Sequence, residues 1–227
     1  MTDEHHPEVL AERLQAVRDG VADAARAAGR APDEITTIVV TKFHPASLVR
    51  DLAALGVRDF GENRHQEAQA KAAEVADLDV HWHFIGQLQR KKARQVRAYA
   101  SAIHSVDRAE LAQALASDDA AIDAFVQVNL TDDPRRGGVA PDGVEALAEQ
   151  VLATPGLRLR GLMAVAPLDE AARPAFARVR ELGELVQRIA PEASALSMGM
   201  SHDYRDAILE GATHLRIGTA ITGNRPG

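Results

Sequence analysis

An apolar, β-branched run places a lysine at its carboxyl end in the segment ITTIVVTKFHPASL, residues 35–48. The residues before Lys42 are apolar at successive positions, which is typical of a strand buried on both faces. Burial disfavours the ammonium form of a lysine, and a neutral amine can attack an aldehyde to form a Schiff base. The alternative is an ordinary strand-end lysine whose long side chain carries its charge into water. Lys42 is therefore the first candidate for chemistry.

Two segments near the end of the chain have the composition of a phosphate-binding site. SMGMSHD (197–203) and RIGTA (216–220) each place a hydroxyl residue close to a glycine. Backbone N–H groups beside the glycines, together with the hydroxyls of Ser201 and Thr219, predict a nest for a phosphate. The alternative is that both segments are ordinary turns. A reactive lysine with a phosphate nest describes a site for pyridoxal phosphate, and it equally describes a phosphosugar aldolase.

The elements that must position these residues alternate regularly along the chain. The predicted strands are 36–42, 57–63, 81–86, 102–107, 124–129, 157–165, 195–201 and 214–221. The predicted helices are 7–28, 46–55, 64–77, 89–99, 108–120, 141–153, 173–189 and 203–211. Eight strands separated by helices predict an α/β fold, a single (β/α)8 TIM barrel with an additional N-terminal helix. An open doubly wound sheet is the alternative, but no G-x-G-x-x-G fingerprint follows the first strand.

Composition limits the possible functions. The 227 residues, 46% hydrophobic and 26% charged, fit one globular domain over residues 1–227. A net charge of −7 argues against nucleic-acid binding. No apolar stretch is long enough to cross a membrane, and the acidic N-terminus lacks a secretory signal, so we expect a cytoplasmic protein. Cysteine is absent, and His81 and His83 lack a third ligand at metal-binding spacing, so we predict no metal site.

Several motifs, in order and spacing, carry a resemblance to a known family. They are VVTKFHP, DFGENRHQE, HWHFIGQLQRKK, IHSVDR, QVNLTDDPRRGG, GLMAV, LSMGMSHD and RIGTAITG. From about residue 35 onward the chain resembles the pyridoxal phosphate homeostasis proteins. The resemblance implies a barrel of the alanine-racemase type, with pyridoxal phosphate bound as a Schiff base on Lys42.

The resemblance also implies the other residues of the cofactor site. The cofactor-binding residues so implied are Lys42, Asn63, His83, Gly86, Met200, Ser201, Arg216, Gly218 and Thr219. Ser201, Gly218 and Thr219 are expected to hold the phosphate, and Arg216 to face the pyridine nitrogen. His83 and Gly86 belong to a family signature near the barrel mouth. The chain departs from the family pattern at Phe43, where a threonine is usual.

The residue facing the pyridine nitrogen bears on whether the protein is an enzyme. Arginine does not titrate in proteins, so Arg216 favours an unprotonated nitrogen and a weak electron sink. Racemisation also needs a second acid–base group opposite Lys42. Alanine racemases take that group, a tyrosine, from an additional domain that we do not expect in this chain. Tyr99 and Tyr204 are its only tyrosines, and we expect Tyr204 to pack at a helix start.

We therefore expect a carrier that stores pyridoxal phosphate and passes it on without catalysis. Its partners would be the cofactor and, as recipients, pyridoxal phosphate-dependent apo-enzymes, and we expect a monomer. The alternatives are a small amino-acid racemase and a Schiff-base phosphosugar lyase. For the lyase, Glu62 is the best available acid–base partner of Lys42.

Overall fold

A closed, all-parallel barrel forms the centre of the computed structural model, which describes residues 7–224. Its strands are β1 (Thr36–Val40), β2 (Asp59–Glu62), β3 (His81–Phe84), β4 (Ala102–Val106), β5 (Ile122–Val128), β6 (Leu157–Ala164), β7 (Ala195–Ser197) and β8 (His214–Ile217). Each strand pairs with the next along the chain, and β8 closes the sheet on β1. The prediction of a (β/α)8 barrel is confirmed, and the open-sheet alternative is wrong.

Helices cover the outside of the barrel. They are α1 (Pro7–Ala27), α2 (Ala46–Ala54), α3 (His65–Glu74), α4 (Ala93–Arg97), α5 (Ala109–Ala114), α6 (Val144–Leu152), α7 (Ala172–Ile189), α8 (Tyr204–Leu209) and α9 (Thr219–Thr222). Helix α1 precedes the first strand and packs against α8 and α9, as the predicted additional helix. No helix in the described ranges combines the length and the apolar character that crossing a bilayer requires.

The large apolar core lies between the strands and the helices. It includes Phe60 and Trp82, whose ring centroids lie 5.9 Å apart. Among the described residues, Phe125, Met163 and Ala195 form a second, smaller apolar cluster. Much of the remaining interior is polar, because buried histidine, serine and arginine side chains project from the strands.

Several predicted boundaries were too long at the carboxyl ends of the strands. Strand β1 ends at Val40, which leaves Lys42 in the turn that follows. The predicted strand 195–201 ends at Ser197. The predicted strand 214–221 ends at Ile217, because the N–H groups of Ile221 and Thr222 donate to the Gly218 carbonyl and start α9 instead. In each case the ladder stops where residues of the predicted site begin.

Candidate functional site

A cavity of about 260 Å³ opens at the carboxyl ends of β1, β7 and β8. It is lined by Val40, Lys42, Phe43, His44, Ile85, Met200, Ser201, His202, Arg216, Gly218, Thr219, Thr222 and Gly223. The chain has four lysines, all in its described part, and among them only Lys42 lines this cavity. The closed barrel therefore brings the predicted reactive lysine and the predicted phosphate nest to one opening, although Lys42 and Ser201 are 159 positions apart in the sequence.

Hydrogen bonds fix the backbone on both sides of Lys42, at Thr41 and at Phe43. Phe43 has a φ of 70°, a left-handed conformation that a bulky side chain rarely adopts. Its N–H donates to the Oε1 atom of Glu67 at 2.5 Å. Such a conformation costs on the order of 1–3 kcal/mol and persists only where the surroundings enforce it. The backbone is thus fixed immediately after the half-buried Lys42.

A buried charged cluster behind this turn supplies the restraint. The Lys71 ammonium donates to Glu62 at 2.6 Å, to Glu67 at 2.7 Å and to the Thr41 carbonyl at 2.7 Å. The Thr41 hydroxyl also donates to Glu62 at 2.8 Å. Burial raises the pKa of the Glu62 carboxyl, while the hydrogen bond and the charge of Lys71 oppose that rise. Glu62 is thereby engaged in orienting the residues that flank Lys42, and the cavity lining of the described chain does not include it.

Ser201 and Thr219 meet across the cavity wall. Their hydroxyl oxygens lie 3.4 Å apart, and the Ala220 N–H donates to the Ser201 hydroxyl at 3.3 Å. Gly199 makes the turn before Ser201 possible, since it has a φ of 95° and an added Cβ would lie 2.6 Å from the Cβ of Ala207. The arrangement leaves two hydroxyl groups and glycine backbone at the cavity, which are suitable donors for an anionic oxygen.

Arg216 forms the base of the same cavity and is only 5% exposed. One terminal nitrogen donates to the Ser197 carbonyl at 2.7 Å and to the Ser197 hydroxyl at 2.8 Å, and the other donates to the Ala164 carbonyl at 2.8 Å. Burial lowers the pKa of its guanidinium to about 10, opposed by the charge of Asp203. The group therefore remains a cation at neutral pH.

Three of the residues implied by the resemblance do not line this cavity. Asn63 lines a separate cavity of about 210 Å³, and its Oδ1 atom is buried without a hydrogen-bond partner in the described structure. Gly86 lies against it, since an added Cβ would stand 2.1 Å from the Asn63 carbonyl oxygen. His83 points into the barrel interior, where it bonds to Asp59 and His104.

The structure also identifies residues that sequence reasoning missed. His44, Ile85 and His202 line the cavity, and the only available signal was their closeness to predicted site residues. The two tyrosines lie elsewhere. An added Cβ at Gly20 would stand 2.2 Å from the Tyr204 hydroxyl, so this side chain packs on α1. Tyr99 stacks on His65 with ring centroids 6.0 Å apart.

Comparisons with known proteins agree with this architecture. The sequence model of the alanine racemase N-terminal domain matches residues 13–226. A Pseudomonas aeruginosa relative named pyridoxal phosphate homeostasis protein is 45% identical over 223 residues, which cover 95% of this chain and 96% of the relative. The structure of PipY from Synechococcus elongatus with pyridoxal phosphate bound is 38% identical, has a TM-score of 0.82 and is matched over 94% of this chain and 100% of its own.

A more distant similarity concerns the fold alone. Alanine racemase from Corynebacterium glutamicum is 16% identical with a TM-score of 0.71, and the match covers 94% of this chain and 62% of the racemase. The family model, the curated relative and the barrel topology all lead to the same assignment. The chain belongs to the alanine racemase N-terminal domain family and, within it, to the pyridoxal phosphate homeostasis proteins.

Proposed function

We propose that this protein binds pyridoxal phosphate as a Schiff base on Lys42. The supporting observation is that the single lysine at the cavity shares it with the Ser201–Thr219 hydroxyl pair and with buried Arg216. The donors fit the ligand, because hydroxyls and backbone N–H groups suit a phosphate, and the described lining includes no carboxylate that would repel one. When bound, the cofactor supplies an electrophilic aldehyde and an electron-accepting ring.

The remaining implied residues take supporting roles in this proposal. Gly218 and Thr219 hold the phosphate with Ser201, and Arg216 donates toward the pyridine nitrogen. Met200, which is 37% exposed, covers the cavity opening. Asn63, His83 and Gly86 do not line the cavity, and in this proposal they support the residues that do.

The phosphate assignment predicts a selective loss of affinity. The Ser201→Ala variant is expected to bind pyridoxal phosphate about tenfold or more weakly, because a hydrogen bond to a charged group contributes about 1.5–3 kcal/mol. Pyridoxal, which lacks the phosphate, is the matched control ligand, and its affinity is expected not to change. Equilibrium titration by absorbance measures both. An equal loss for the two ligands would contradict the assignment.

We further propose that the protein stores and transfers the cofactor and is not an enzyme. Arg216 remains a cation and a hydrogen-bond donor, which favours a weak electron sink. The described lining contains no tyrosine or carboxylate to serve as a second acid–base group opposite Lys42. The histidines at positions 44 and 202 are the groups through which the racemase alternative would have to operate.

Exchange of substrate protons distinguishes a carrier from a racemase. Incubation of the cofactor-loaded protein with L-alanine or D-alanine in deuterated water is expected to give no exchange of the α-proton for deuterium and no inversion of configuration at the α-carbon. NMR of the amino acid provides the measurement. Steady exchange that is lost in His44→Ala or His202→Ala would establish the racemase in place of the carrier.

The broader role follows from the same proposal. We propose that residues 1–227 form one domain that acts as a cytoplasmic monomer and delivers the cofactor to pyridoxal phosphate-dependent apo-enzymes, without binding nucleic acid or membranes. Residues 1–6 and 225–227 lie outside the described part of the chain. The acidic balance, with a net charge of −7, supports the exclusion of nucleic acid.

Direct delivery is tested by the rate at which an apo-enzyme regains activity. The cofactor-loaded protein is expected to reactivate it faster than the release of free cofactor from the loaded protein would allow.

A further inference from the structure

A continuous chain of hydrogen bonds crosses the barrel interior from Arg216 to Asp59. The guanidinium donates to the Ser197 hydroxyl at 2.8 Å, and that hydroxyl lies 2.8 Å from the Nδ1 atom of His104. The Nε2 atom of His104 lies 2.9 Å from the Nδ1 atom of His83, whose Nε2 atom lies 3.0 Å from the Asp59 carboxylate. We call these five residues the interior relay.

The donors of the relay point in one direction. The Ser197 hydroxyl already accepts from Arg216, so its single proton is available for the Nδ1 atom of His104, its other described partner. His104 must then carry its proton on Nε2 and donate to His83. His83 in turn donates from Nε2 to the carboxylate of Asp59.

The opposite direction is less favourable on two counts. It would leave the proton of the fully buried Ser197 hydroxyl without an acceptor among its described partners. It would also require a second cation, at His83, in an interior that already contains Arg216. The environment of His104 agrees with a neutral ring, since burial, together with the nearby charge of Arg216, holds its pKa well below the usual value.

The relay links groups at the two ends of the barrel. Arg216 lines the cofactor cavity, while Asp59, the first residue of β2, lines a cavity of about 450 Å³ at the amino-terminal end. The described hydrogen bonds of Arg216 go to two carbonyls and one hydroxyl, and none goes to a carboxylate. The carboxylate that hydrogen bonds connect to Arg216 in the described structure is that of Asp59, reached through Ser197 and two imidazoles.

We propose that His104 and His83 are positioning residues that fix the guanidinium of Arg216 against the ligand by anchoring Ser197 to Asp59. This inference rests on the proposed binding of pyridoxal phosphate. A hydroxyl with no second partner can rotate about its Cβ–Oγ bond, whereas one that must donate to His104 presents its lone pairs to Arg216 in one orientation. The orientation of the Arg216 guanidinium is thus set by residues that do not line the cavity, namely Ser197, His104, His83 and Asp59.

His104 and His214 provide a matched pair of variants. The His104 ring stacks on Phe125 with centroids 4.3 Å apart, and the His214 ring meets the same Phe125 edge-on at 5.1 Å. His214 bonds to Thr213 and is outside the relay. Replacing either histidine by phenylalanine keeps an aromatic ring against Phe125, but only His104→Phe interrupts the relay.

The test compares the two variants after folding is verified by circular dichroism. His104→Phe is expected to bind pyridoxal phosphate about tenfold more weakly, the lower end of the effect of removing outer hydrogen-bond partners at metal sites, and to shift the absorbance maximum of the bound cofactor. His214→Phe is expected to change neither quantity. Equal effects of both variants, or no effect of His104→Phe, would overturn the proposal.

A second measurement needs neither cofactor nor variant. Nitrogen-15 NMR of histidine-labelled protein without cofactor is expected to show His104 and His83 as neutral rings protonated at Nε2. A proton on Nδ1 of either ring would overturn the relay even if His104→Phe does not fold. Failure of the unaltered protein to bind pyridoxal phosphate would instead refute the proposed function while leaving this NMR result intact.

Discussion

The Lys42→Ala variant is expected to lose completely the Schiff-base absorbance band that pyridoxal phosphate gives with the unaltered protein. The colour depends on a Schiff base, and the three other lysines, at positions 71, 91 and 92, do not line the cavity. The hydroxyls of Ser201 and Thr219 remain in the variant, so the cofactor is expected to bind weakly and to keep the spectrum of the free aldehyde, which is subtracted from both spectra. Spectra of both proteins, recorded with the same excess of cofactor, provide the measurement.

Lys91→Ala is the matched control for this experiment. Lys91 is an exposed lysine in the 3₁₀ turn Arg90–Lys92, and its removal changes the net charge equally. Its spectrum is expected to equal that of the unaltered protein. An undiminished band in Lys42→Ala would mean that another amine carries the cofactor.

Among the variants proposed for this protein, Lys71→Met is expected to show the largest decrease in the free energy of unfolding. The Lys71 side chain is 5% exposed and neutralises Glu62, which is 1% exposed, together with Glu67. Removing one partner of a buried ion pair leaves an uncompensated charge, which typically costs about 3–5 kcal/mol. Urea unfolding measures this loss, with Lys91→Met as the exposed control. A loss as small as that of the control would show that the cluster contributes little.

The pH dependence of this loss has a definite sign. Burial raises the pKa of Glu62 above its unfolded value, so its contribution to stability is present below that value and is lost as pH rises through the folded pKa. Without Lys71 the main group opposing the rise is gone, so the pKa increases further. The difference in free energy of unfolding between the variant and the unaltered protein is therefore expected to narrow as the pH is lowered from neutrality. A gap that widens on acidification would contradict this explanation.

The Lys71 cluster is also expected to affect cofactor binding at Lys42. Thr41 and Phe43, the two neighbours of Lys42, are hydrogen-bonded to this cluster. A folded Lys71→Met protein is therefore expected to bind the cofactor more weakly, although Lys71 does not line the cavity. The absorbance titration used for Ser201→Ala applies here as well.

Much of the fold could be predicted from the sequence because strand and helix patterns alternate so regularly. The apolar run before Lys42 corresponds to β1, and the longer run at 157–165 corresponds to β6. Helix boundaries also differ, since the predicted helix 108–120 ends at Ala114. The errors that bear on the cavity lie where the chain leaves the barrel. Apolar composition continues through 195–201 and 214–221, but Gly199 and Gly218 redirect the backbone into the turns that build the cavity.

The cavity lining was predictable only where the chemistry of a residue is local. Lys42, Ser201 and Thr219, which all line the cavity, could be named as candidates because each follows a strand beside a turn signal. The relay could not be predicted, since His104 and Ser197 are 93 positions apart and meet only when the barrel closes. Lys71 was equally hidden, because a lysine on a helix is usually solvated and only the tertiary structure buries it.

The central claim, that Lys42 is the covalent attachment point, is tested most directly by borohydride reduction followed by peptide mass mapping. The chain has only four lysines, at 42, 71, 91 and 92, so the result is easily assigned. We predict one reduced pyridoxyl-phosphate group per chain, on the peptide that contains Lys42. A group on the peptide containing Lys71, Lys91 or Lys92, or a coloured protein with no stable adduct after reduction, would contradict the account.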